Sequence, residues 1–99
     1  MSAHDRTRDP MPQVRFTHWL RELVPDEAIE APGATVGDAL AAVFAREPQV
    51  RGYVLDDRGN LRKHVCVFAD GARLPRDATM SHPVGPQTRL YVMQALSGG

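Results

Sequence analysis

The chain has one cysteine, Cys66, and one lysine, Lys63, among 99 residues. A lone thiol forms no internal disulfide and leaves no Cys–Cys pair for a metal. Neither sign of charge is in excess: 12 basic side chains face 12 acidic ones, for a formal net charge of 0. That balance removes the electrostatic footprint of a protein that binds nucleic acid or anionic lipid non-specifically. No apolar run approaches the ~18–20 residues that span a bilayer. The first twenty residues carry Arg6 and Arg8 but no apolar stretch of the secretory type. The expectation is a soluble, cytoplasmic protein, monomeric when free, that binds neither nucleic acid nor membrane.

What is present fits one small domain. Domains cluster near ~100–150 residues, and a chain of this size buries roughly 60–65% of the surface its unfolded form exposes. At 42% hydrophobic residues it has enough to fill one modest core. There is little room for a deep cleft between subdomains.

Residues 1–13 are charged and proline-bearing with little to bury, and read as a disordered tail before a domain over residues 14–96. Val14, Phe16 and His18 alternate with polar residues, which predicts a strand. A helical turn over residues 19–24, stopped by Pro25, and a short strand over residues 27–31 follow. Pro32-Gly33 breaks that strand. Thr35 is a good N-cap with Asp38 three residues on, and Val36, Leu40, Val43 and Phe44 share one helical face. An amphipathic helix is predicted over residues 36–47, ended by Pro48.

The second half reads as β. Tyr53-Val54-Leu55 is predicted as a short strand, followed by the turn residues Asp57-Arg58-Gly59-Asn60. Residues 64–69 form an apolar, β-branched run, and Asp70-Gly71 signals a type I′ hairpin into residues 72–74. Residues 75–87 are an irregular connection, and residues 89–96 are the last strand, apolar on both faces in its middle. One helix and one sheet must cover each other, because neither buries its apolar face alone. The predicted class is therefore α+β of the β-grasp, ubiquitin-like kind: a mixed sheet of four to five strands on one main helix.

Conventional sites are missing from the pattern. His4, His18, His64 and His82 lie far apart without ligand spacing. Cys66 stands mid-strand outside any papain-like or redox motif. Asp56-Asp57 reads as a turn, and Gly33 to Gly37 lacks the lysine of a phosphate loop. No self-contained catalytic or metal site is expected.

The informative feature is the end of the chain. A strand running into Ser97-Gly98-Gly99 gains nothing from two glycines, which cost backbone entropy to order. Residues 97–99 instead read as a flexible, slim tail ending in a carboxylate, without Cβ atoms at the last two positions. It reaches roughly 10 Å beyond the sheet at ~3.3–3.6 Å per residue.

Three segments carry a family resemblance over residues 14–99. Arg21-Glu22-Leu23-Val24 resembles the corresponding stretch of the molybdopterin synthase small subunit. Residues 61–71, Leu-Arg-Lys-His-Val-Cys-Val-Phe-Ala-Asp-Gly, resemble a hairpin of the carrier used in thiocarboxylate-dependent cysteine synthesis. Residues 89–99 resemble the final strand and glycine pair of the MoaD/ThiS family of ubiquitin-like sulfur carriers. Cys66 stands where that hairpin often has Asn, and Gln94-Ala95 where prolines are common.

The resemblance implies a co-substrate and not an enzyme. An α-carboxylate with a pKa near ~3.3–3.7 is anionic and a poor electrophile at neutral pH. In this family an E1-like adenylyltransferase uses ATP and Mg²⁺ to activate it, and sulfur from a persulfide donor, a cysteine desulfurase or rhodanese-type protein, gives a thiocarboxylate for a sulfur-accepting synthase. Gly99 would be the modified residue, with Gly98 and Ser97 its neck. A modifier conjugated through Gly99, and a binding module without C-terminal chemistry, are the alternatives.

Docking needs a surface as well. If Val65, Val67, Ala69, Leu90 and Val92 face the helix, strand alternation sends Cys66, Phe68, Tyr91 and Met93 to the other side. These four are the expected partner-binding patch.

Overall fold

A computed structural model describes residues 11–16 and 28–94. Strand β1 spans Gln13–Phe16 and β2 spans Ile29–Glu30. Helices α1, Val36–Arg46, and α2, Pro48–Val54, come next. Strands β3, Val65–Ala69, and β4, Ala72–Arg73, precede a 3₁₀ turn at Arg76–Ala78, and β5 spans Arg89–Gln94. The sheet order is β2-β1-β5-β3-β4, with β1 and β5 parallel and every other pairing antiparallel. The expected mixed sheet has five strands.

Strand β1 begins one residue before Val14, the expected start of the domain. Gln13 is the first residue of β1 and its amide donates to the Thr88 carbonyl at 3.0 Å; the Pro12 carbonyl accepts from Ala31. Residues 1–10, the helical turn expected at 19–24, His18, and the end of the last strand at 95–96 lie outside the described residues.

Helix α1 starts as its cap dictates. Thr35 is extended, and its hydroxyl accepts from the Asp38 amide at 3.2 Å. The Val36 and Gly37 amides donate to the carbonyls of His82 and Met80, so the long connection before β5 closes the helix end. Gly33 lies so close to this first turn that a Cβ there would meet Asp38 and Ala39 at 2.7 Å. Val36, Leu40, Val43 and Phe44 are buried as their spacing requires, and Ala39 joins them. They pack with Val14, Phe16, Val65, Val67, Leu90 and Val92 in one core cluster.

The strand expected at Tyr53-Val54-Leu55 is a correction. Pro48 does end α1, with Glu47 out of helical geometry, but it then occupies the first turn of α2. A proline is pre-organised there, because the amide it lacks would have no partner. Val50 and Val54, four residues apart, are buried while Tyr53 is 51% exposed, which is helical and not strand periodicity. Only Leu55 keeps a β contact, an isolated bridge to Leu61.

The hairpin after β3 has the expected form. Asp70 and Gly71 both take positive φ, 52° and 89°, as a type I′ turn requires. The Asp70 carboxylate also accepts from the Arg89 amide at 2.9 Å, tying the turn to β5.

Candidate functional site

The two central strands decide which side chains face outward. Val65, Val67, Ala69, Leu90 and Val92 are buried in the core cluster. The residues between them therefore point away from α1. The register opposes Phe68 to Tyr91 and Cys66 to Met93 across β3 and β5. All four expected patch residues thus come together as two adjacent cross-strand pairs. Phe68, Tyr91 and Met93 are half-buried, and none packs against the core cluster.

Cys66 departs from expectation. It stands on the outward side and outside the core cluster, yet is only 8% exposed. The exposed apolar surface is accordingly that of Phe68, Tyr91 and Met93. Cys66 and Leu74 line a space of about 30 Å³ with Arg73, Arg76 and Thr79.

Sequence reasoning missed the charges framing this patch. Arg73 on β4 opposes Phe68, and Arg15 on β1 opposes Tyr91. One row across four strands thus reads Arg73, Phe68, Tyr91, Arg15. Arg89, two residues before Tyr91 on the same face, opposes Gln13. Arg15, Arg89, Gln13 and Tyr91 line a shallow depression of about 290 Å³. Only Arg89 carried a signal in the sequence, two residues before the outward Tyr91; Arg15 and Arg73 are placed by strand register.

The approach to the C-terminus is also fixed. Gln94, the last residue described, opposes Val65 at the start of β3. There the Arg76 guanidinium donates to four backbone carbonyls: Leu61 at 3.2 Å, Arg62 at 3.1 Å, Lys63 at 2.8 Å and Val65 at 2.7 Å. No periodicity marked Arg76, because its partners are backbone atoms of a turn. Ser97, Gly98 and Gly99 lie outside the described residues.

No catalytic constellation appears elsewhere among the described residues. A surface depression of about 470 Å³ is lined by Asn60, Leu61, Arg76, Asp77, Met80 and Ser81. Its Ser81 hydroxyl donates to the Ala78 carbonyl and not to a base. Asp56 accepts from the amides of Asn60 and Arg58, at 3.0 and 2.9 Å. The Asn60 amide above all holds its carboxyl below its ordinary range, as suits a turn-forming side chain. No group of three or more His, Cys, Asp or Glu side chains gathers among the described residues, and no helix described is long and apolar enough to cross a membrane.

Comparison with known proteins places this arrangement. The model of the ThiS family matches residues 14–99. The chain belongs to the ThiS family. Among solved structures, this ThiS-family chain is similar to SAMP1 from Haloferax volcanii, at 24% identity and a TM-score of 0.75, covering 89% of this chain and 98% of that one. It is similar to a chain of the BexX/CysO complex of Amycolatopsis orientalis, at 20% identity and a TM-score of 0.77, with coverages of 89% and 99%. Urm1 from Trypanosoma brucei shares the fold at 16% identity and a TM-score of 0.59, with coverages of 92% and 97%. No curated protein matches the chain. These likenesses show the ubiquitin-like β-grasp fold, and with the family they support a ubiquitin-like or sulfur-carrier role.

Proposed function

We propose that this ThiS-family protein is a sulfur carrier whose reactive group is the Gly99 carboxylate. The observation that carries the reading is the family match over residues 14–99, a range that ends at Gly99. A carboxylate cannot accept sulfur directly, because hydroxide or oxide is a poor leaving group and the anion repels nucleophiles. In the proposed sequence the carboxylate oxygen attacks the α-phosphorus of ATP and pyrophosphate leaves. Persulfide sulfur then displaces AMP and, after reductive cleavage of the S–S bond by a thiol, leaves a terminal thiocarboxylate. ATP and Mg²⁺ are held by an E1-like adenylyltransferase. A cysteine desulfurase or rhodanese-type protein supplies sulfur, and a biosynthetic synthase consumes it in the cytoplasm.

On this reading the chain is a co-substrate and not an enzyme. The rigid body presents a docking face with Phe68, Tyr91 and Met93 at its centre, while Gly98 and Gly99 supply a neck slim enough for a narrow channel. A second reading, a modifier joined to amines, is favoured by one observation: one similar structure is that of a small archaeal modifier protein. The same activation serves both.

ATP–pyrophosphate exchange with the E1-like partner tests the proposal. Exchange is expected with the full chain and absent from a chain lacking Gly98 and Gly99. Equal exchange with both chains would refute it.

A further inference from the structure

Three arginines frame the apolar row. Arg15, Arg73 and Arg89 all stand on the side of the sheet away from α1. Two carboxylates share this side. Asp70 accepts from the Arg89 amide, and Glu30 lies on the edge strand β2, opposite Gln13. The other described charges, of both signs, among them Arg46, Arg51, Asp38, Glu47, Asp56 and Asp77, belong to the helices and loops. What sets the sheet face apart is placement: the aromatic pair lies in register between Arg73 and Arg15.

We propose that Arg15, Arg73 and Arg89 bind carboxylates of the adenylating partner, whose docking surface is apolar at its centre and acidic at its rim. This rests on the sulfur-carrier reading and names the chemistry of the partner surface. A guanidinium presents a planar fork that matches a carboxylate with two parallel hydrogen bonds. The shallow depression between Arg15 and Arg89 sets two such forks beside the Tyr91 ring, where one or two acidic side chains can enter. Arg73 at the far end of the row fixes the second point, so the three charges set the orientation of the carrier as well as its affinity. Arginine also suits a surface held against an activated acyl group. Its guanidinium stays protonated and does not attack, whereas a lysine amine would be acylated. No lysine stands among these framing charges; the only one in the chain, Lys63, is in the turn before β3.

The test is a titration of full-length chains against the E1-like partner at low and high salt, with the KM and kcat of adenylation measured on the same samples. For R15E/R89E, the Kd and the KM for the carrier are expected to rise about tenfold or more at low salt, with kcat held within twofold. R73E is expected to move in the same direction. R15Q/R89Q, which adds no repulsion, is expected to lose part of the salt dependence that the unaltered chain shows. R51E, on exposed α2, is expected to stay within twofold of the unaltered chain. Wild-type affinity and salt dependence in R15E/R89E and R73E, with the unaltered chain adenylated normally, would overturn the arginine assignment alone. An unaltered chain that is neither bound nor adenylated would overturn the carrier reading, and this assignment with it.

Discussion

Phe68 and Tyr91 oppose each other across β3 and β5, on the face of the sheet turned away from α1. Their inward neighbours Val67 and Val92 form the next pair of the same ladder and are fully buried. The core therefore fixes the position of the outward pair, and the outward pair can change without altering the core. Phe68→Asp is expected to fold normally and to weaken binding to the adenylating partner at least roughly thirtyfold, the factor that ~2 kcal/mol at an aromatic anchor implies. Titration of the folded variant checks this. Unchanged affinity would move the docking surface elsewhere.

The tail makes the opposite separation. Gly98→Val adds a branched side chain four residues after Gln94, the last residue of β5; the melting temperature is expected to match that of the unaltered chain while adenylation is lost. Differential scanning calorimetry beside the exchange assay decides it. A large fall in stability would make the tail a structural element.

Phe44 tests the helix face. It lies in the core cluster at 8% exposure, and Phe44→Ala is expected to cost roughly 3–5 kcal/mol through lost burial and the cavity left behind. In a domain with about 5–10 kcal/mol of stability this is severe. Urea unfolding measures it, and a change below about 1 kcal/mol would contradict the packing described.

Arg76 tests the turn before β3. Its guanidinium serves four carbonyls between Leu61 and Val65. Arg76→Ala is expected to destabilise by about 1.5–3 kcal/mol, the range for hydrogen bonds to a charged group. Arg76→Lys is expected to restore little, since an ammonium lacks the fork. Amide exchange should accelerate first at residues 61–65. Uniform exchange across the sheet in Arg76→Ala would contradict a local role.

These residues also show what the sequence made legible. Thr35, Phe44 and the alternation through Val65 to Ala69 were readable because each follows a local rule: a cap, a helical stripe, a period of two. The same alternation brought Cys66, Phe68, Tyr91 and Met93 to one side, although it could not show how little of Cys66 is exposed. Helix α2 is not legible in the sequence because an apolar run of three residues has no period, and Pro48 marks a start as well as a stop. Arg76, Arg15 and Arg73 were missed because their partners are set by chain pairing and not by spacing along the sequence.

The central claim is chemical, and the intact mass of the carrier tests it most directly. The full chain is incubated with its E1-like partner, ATP, Mg²⁺ and a persulfide sulfur source, then weighed by mass spectrometry. Replacement of one terminal oxygen by sulfur is predicted to add about 16 Da, to localise to the peptide ending in Gly99, and to vanish when Gly99 is removed. An unchanged carrier mass, with Gly99 found instead in isopeptide linkage to lysines of other proteins, would contradict the sulfur-carrier account.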